Sequence, residues 1–184
     1  MRTLSRSIAA LVATLAFAAL LAGSPVVVAQ DATPCPPLTE EDALAWASTY
    51  IGAVNANDAA QVAALYGEDA IHHWGIGVDS EGSGEIATSF DAFFDAFPGI
   101  HLTLDRAWVA GDTVVIRWIA IGMQEGDFMG VPGALVTTTW TGINIFQLDC
   151  GLVVESWSET DHFSRLEQMG LIPIAPAAEA TPAG

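Results

Sequence analysis

From residue 102 to residue 160 the chain is written with a period of two. Residues 102–109, 113–122 and 135–148 are rich in Val, Ile, Thr and aromatics. Further on, Val153, Glu155, Trp157 and Glu159 alternate with Val154, Ser156, Ser158 and Thr160. Gly111-Asp112 and Asp149-Cys150-Gly151 read as turns, and residues 124–133 as a longer loop holding Phe128, Met129 and Pro132. Strands joined this way predict a four-stranded antiparallel meander, whose apolar face has to be covered by another layer.

The first half supplies that layer. Thr39 is placed to start a helix, with Glu40, Glu41 and Asp42 where the helix dipole favours acids. Leu44, Ala47, Ile51 and Val54 form its apolar stripe. A second helix is predicted over residues 59–66, a short strand over 70–74, a Gly-rich polar loop around residues 75–84, and a third helix over 86–97 with Phe90, Phe93, Phe94 and Phe97 on one side. A last helix follows the meander, with Phe163, Leu166 and Met169 at helical spacing and Gly170 ending it. Helices segregated from an antiparallel sheet mean α+β: a strongly curved sheet packed on the N-terminal helices, with an open apolar cavity as the default ligand site.

The ends read differently. Arg2 and Arg6 precede an apolar run over residues 8–22, and Val27-Val28-Ala29 offers a cleavage site. Residues 1–29 are therefore expected to be a secretory signal peptide rather than a stable membrane anchor, although a retained leader is the competing reading. Residues 30–38 form a Pro-rich lead-in, residues 39–173 the folded domain, and residues 174–184 a disordered Ala/Pro tail. The chain carries a net charge of −17 and contains no lysine. Loss of the two leader arginines leaves three basic residues against 22 acidic ones, or −19. Such a charge argues against nucleic acid and against anionic membrane surfaces. In an exported chain the two cysteines, Cys35 and Cys150, read as a disulfide pinning the N-terminal arm to the sheet.

The order of elements and several local strings resemble the SnoaL-like polyketide cyclase (ester cyclase) family, within the nuclear-transport-factor-two-like cone fold. The strings are FDAFFDAFPGIHLTLDRAWVAGDTVVIRWIAIG, GDFMGVPG, WTGINIFQLDCGLVVESW and the final helix ending in MGLIP. The resemblance implies an acid/base aspartate at the end of the last long strand, which here is Asp161, closing a polyketide ester without metal or cofactor. It also implies that Asn144 stands where a cyclase can carry a histidine; an amide can orient a carbonyl or enolate oxygen but cannot take a proton. His73 matches a histidine of the first short strand and is a candidate second proton carrier. Trp74, Phe128, Met129, Trp140 and Trp157 are candidate ligand-contacting residues. Members of this fold commonly pair through the open sheet face, so a homodimer is a candidate assembly.

Each candidate also has a plain reading. Asp161 is equally placed to be the N-cap of the last helix, holding its first-turn amides. His73 reads as a strand-edge histidine, and the tryptophans as core. No G-x-S-x-G elbow, phosphate-cradling loop or metal-ligand spacing is present. Two functions follow: a cofactor-independent enzyme in which Asp161 moves a proton beside a carbonyl, or an exported module that binds an apolar small molecule without turnover. An enzyme requires Asp161 deep in the cavity with a raised pKa.

Overall fold

The structure, a computed structural model, describes residues 35–75 and 77–172. The expected leader, most of the lead-in and the Ala/Pro tail lie outside the described residues.

Four helices and six strands follow in the order α1 (Glu40–Asn55), α2 (Ala59–Ala63), β1 (Tyr66–Gly75), β2 (Val78–Glu81), α3 (Gly82–Ala96), β3 (His101–Ala110), β4 (Thr113–Met123), β5 (Thr137–Asp149), β6 (Leu152–Thr160) and α4 (His162–Gln168). They form one curved, unclosed sheet in the order β2-β1-β6-β5-β4-β3. Strands β3 to β6 are the antiparallel meander, and β1 adds to β6 in parallel. Strand β2 was not expected: four residues between glycines are too few to show a period. Helix α2 is shorter than expected because Tyr66 leaves it to open β1 and bury its ring.

Thr39 caps α1 through a reciprocal box with Asp42, whose carboxylate accepts from the Thr39 amide at 2.9 Å. That bonding holds the Asp42 carboxyl below its ordinary range. Ala47, Tyr50, Ile51 and Val54 of α1, with Phe90, Phe94 and Phe97 from α3 and its end, pack into the concave face of the sheet. Phe146 packs there tilted against Trp46 and edge-on to Tyr50. Cys35 and Cys150 are disulfide-bonded, with Cα atoms 5.4 Å apart, so the arm before α1 is fixed to the β5–β6 turn. Closing a chain segment of this length stabilises the fold by roughly 5 kcal/mol in the chain-entropy picture.

A bulge in β6 decides which side chains face inward. Leu148 pairs with Val153, but Gln147 pairs with Glu155, so Val154 is an extra residue. Beyond it every side chain changes face. Ser156 and Ser158 turn into the concave side, and Glu155, Trp157 and Glu159 turn out.

Candidate functional site

The open end of the cone encloses a cavity of about 60 Å³. Its walls come from every layer: Tyr50 and Val54 of α1, Trp74 of β1, Phe90 and Phe93 of α3, Leu102 of β3, Trp118 of β4, and Trp140 and Asn144 of β5. Ser158 and Thr160 of β6 and His162 and Arg165 of α4 complete it. Phe128 and Met129 reach it from the loop between β4 and β5. That loop is closed by reciprocal backbone bonds between Phe128 and Val131, both 2.9 Å, and stapled from below by buried Gln124, whose amide donates to the carbonyls of Gly126 and Val131. A second cleft of about 240 Å³ shares Trp74, Phe128 and Met129 with the cavity and opens outward past Val78, Ala92 and Asp127.

The floor of the cavity is polar and wired. The Trp118 indole N–H can only donate, so it fixes Asn144 with Oδ1 as acceptor. The Asn144 amide donates to Ser158 Oγ. Ser158 Oγ lies 3.2 Å from His72 Nε2, and His72 Nδ1 lies 2.7 Å from Ser156 Oγ and 3.1 Å from the Tyr66 hydroxyl. His72 is fully buried. Burial, with a smaller contribution from neighbouring His73, pushes its pKa down to about 3, so the ring is neutral and a poor proton acceptor. It holds Ser158 and Asn144 in place.

Of the eight residues that the sequence offers for this site, the structure brings five together: Asn144, Trp74, Phe128, Met129 and Trp140. Three others lie elsewhere. Asp161 is exposed and caps α4: Oδ1 accepts from the Ser164 amide at 2.9 Å and Oδ2 from the Ser164 hydroxyl at 2.6 Å. Those bonds lower its pKa, the opposite of the rise a cavity acid needs. The expected acid is therefore a helix cap in this structure, the plainer of its two readings. His73 faces out, where Nδ1 meets Asp79 at 2.7 Å and Nε2 meets Glu155 at 3.1 Å. Trp157 stacks on it, outside the cavity. Alternation along β1 puts the adjacent His72 and His73 on opposite faces, and His72 is the one inside.

Two cavity groups were not singled out for this role by the sequence. His162, the first residue of α4, turns inward beside the outward Asp161. Its Nδ1 is buried and has no partner among the described residues. Burial and then the Arg165 charge lower its pKa, outweighing Asp161 and Glu159, so it is a neutral base at pH 7. Arg165, one turn further on, is 3 % exposed. Its signal in the sequence is only that α4 places residues 162 and 165 on one face.

The profile of the SnoaL-like polyketide cyclases matches residues 45–169, which is most of the chain and includes every cavity element. The chain belongs to that family. Family members bind small-molecule substrates in such a cavity. Several solved SnoaL-like and related structures share the cone. TsrD from Streptomyces laurentii is 23% identical with a TM-score of 0.66, covering 73% of this chain and 99% of its own. A protein from Jannaschia sp. CCS1 described as SnoaL-like polyketide cyclase is 20% identical with a TM-score of 0.65, covering 79% and 100%. AclR from Streptomyces galilaeus is 21% identical with a TM-score of 0.65, covering 75% and 91%. At these identities the likeness is one of fold. Among curated proteins none matches.

Proposed function

We propose that this SnoaL-like protein binds an apolar, carbonyl-containing small molecule in the aromatic cavity and carries out a cyclase- or isomerase-type proton transfer with His162 as the base. The supporting observation is that a residue with an unpartnered imidazole nitrogen and a wired amide line the same apolar cavity. His162 Nδ1 takes a proton from the carbon beside the carbonyl. The electron pair moves to the carbonyl oxygen, which the free N–H of Asn144 and the Arg165 charge stabilise. The imidazolium then returns the proton to carbon or oxygen of the product. Asp161 has no part in this step.

The test uses benzylacetone, a neutral enolisable ketone, in deuterated buffer. The protein is expected to speed loss of the methylene and methyl proton signals beside the carbonyl by at least about 100-fold over buffer at equal pH. Quenching of tryptophan fluorescence with no exchange is the outcome for the second reading, a binding module without turnover. The retreat of Asp161 to the surface favours that second reading.

We further place the protein outside the cytoplasm, on the strength of the leader pattern in residues 1–29 and the Cys35–Cys150 disulfide. A mature N-terminus at Gln30, read by mass spectrometry of the exported protein, is the expected result; an intact Met1 contradicts it. The convex sheet face presents Ile119, Ile121, Ile143 and Ile145 to solvent, which suits a second copy of the chain. Light scattering is expected to give twice the monomer mass, and Ile143→Glu to halve it; a monomeric wild type contradicts the pairing.

A further inference from the structure

Beyond the leader the chain has three cations, and their surroundings differ. Arg117 pairs with Asp105 on the outer face, and Arg106 is exposed on β3. Arg165 is nearly completely buried in a chain with 22 acidic residues, yet none of the acids among the described residues reaches it as an ion pair. Its Nε is buried without a hydrogen-bond partner. The guanidinium lies instead over three rings, 5.1 Å from the centroid of Phe97, 5.8 Å from Phe128 and 5.9 Å from Trp140.

Ring faces offset part of the cost of burying a cation. They offer nothing in the plane of the guanidinium, where five N–H groups point. A buried charge left in this state is costly unless something with oxygen lone pairs arrives. We propose that Arg165 receives the carboxylate of a small apolar carboxylic acid, so that among carbonyl-containing molecules the cavity prefers an anion with an apolar body over its neutral counterpart. This names the ligand class of the cavity proposed above and rests on that reading.

The shape agrees. Room of about 60 Å³ suits a carboxyl head and the carbons next to it, not a ring system. The adjoining cleft of about 240 Å³, walled by Trp74, Phe128 and Met129, suits the apolar body. The overall charge of −17 gives an anion no long-range attraction. Recognition therefore depends on the buried contact, where a planar two-pronged donor matches a carboxylate in geometry and charge.

The experiment compares hydrocinnamate with its neutral isostere hydrocinnamamide by calorimetry on the full-length protein. At about pH 8 the wild type is expected to bind the acid at least about tenfold more tightly than the amide. Arg165→Met, which keeps length and apolar contact with the rings, is expected to bring the two within about twofold while the amide still binds. Equal affinities in the wild type, or a preference that survives Arg165→Met, overturn the inference and leave the cavity reading standing. A preference present at about pH 5 and gone at about pH 8 assigns the anion to protonated His162 and overturns it too. Binding of neither probe removes the cavity reading and this inference with it. The wild-type comparison decides the matter even where the variant folds poorly.

Discussion

Between pH 7 and pH 4 the wild-type protein is expected to lose about 3 kcal/mol of folding free energy relative to a His72→Gln variant. The cause is the buried imidazole at the centre of the cavity floor. In the unfolded chain His72 titrates near its ordinary 6.5, whereas in the fold it titrates at about 3. Below pH 6.5 the unfolded state therefore holds more protons, and stability falls as pH falls until both forms are protonated. Other groups move with pH as well. His73 acts in the opposite sense: Asp79 and then Glu155 raise its pKa, so its contribution is complete below 6.5 and lost as pH rises through the folded value. Its exposure keeps that contribution small. The capping carboxylates of Asp42, Asp58 and Asp161 have lowered values, and their support is lost only as pH falls through those values, below 3.8. Protonation of surface acids also relieves self-repulsion at −17. All of these are shared by the variant, so the difference between the two urea-unfolding curves isolates His72. The glutamine amide introduced by His72→Gln keeps a donor and an acceptor for the serines. Parallel pH profiles would show that the ring is not buried neutral.

Gly142→Ala is expected to cost about 3 kcal/mol and to abolish ligand binding together with the stability. Gly142 lies mid-strand in β5, opposite Trp118 on β4. A methyl group there would overlap the Trp118 ring and sit 2.7 Å from the Glu159 carbonyl oxygen. The backbone oxygen cannot retreat without breaking the β5–β6 ladder, so the indole has to move. Its N–H then leaves Asn144, and the amide that faces the ligand loses the bond that orients it. Calorimetry and near-ultraviolet circular dichroism should report both losses. A Gly142→Ala protein with wild-type stability and binding would mean that Trp118 does not lie flat on this strand.

The meander, the start of α1 and the aromatic stripe of α3 were legible because each rests on local chemistry: period two, Thr39 followed by three first-turn acids, phenylalanines at helical spacing. The direction in which β6 presents its side chains was not. Strict alternation from buried Val153 would carry Trp157 inward, and the single extra residue at Val154 reverses it. Nothing in VVESW marks that bulge. It arises from pairing with β5, far away in sequence. The two adjacent histidines pose the same problem. Alternation separates His72 from His73, but only the parallel pairing of β1 with β6, which sets His72 opposite Ser156, decides which is inside. At Asp161 the residues supported two readings, and the resemblance to the cyclases drew attention to the acid. The Ser164 backbone and hydroxyl then claim both of its oxygens. Its neighbour His162 lines the cavity instead, and no local pattern in the sequence singles it out for that place.

The most direct measurement is proton exchange on benzylacetone by three proteins side by side: wild type, Asp161→Asn and His162→Gln. Asparagine still caps α4, so Asp161→Asn should exchange within about twofold of wild type, whereas His162→Gln should fall by about 100-fold or more with binding retained. The reverse pattern, an inactive Asp161→Asn and an active His162→Gln, would return the proton to the cap carboxylate and contradict a cavity-centred site.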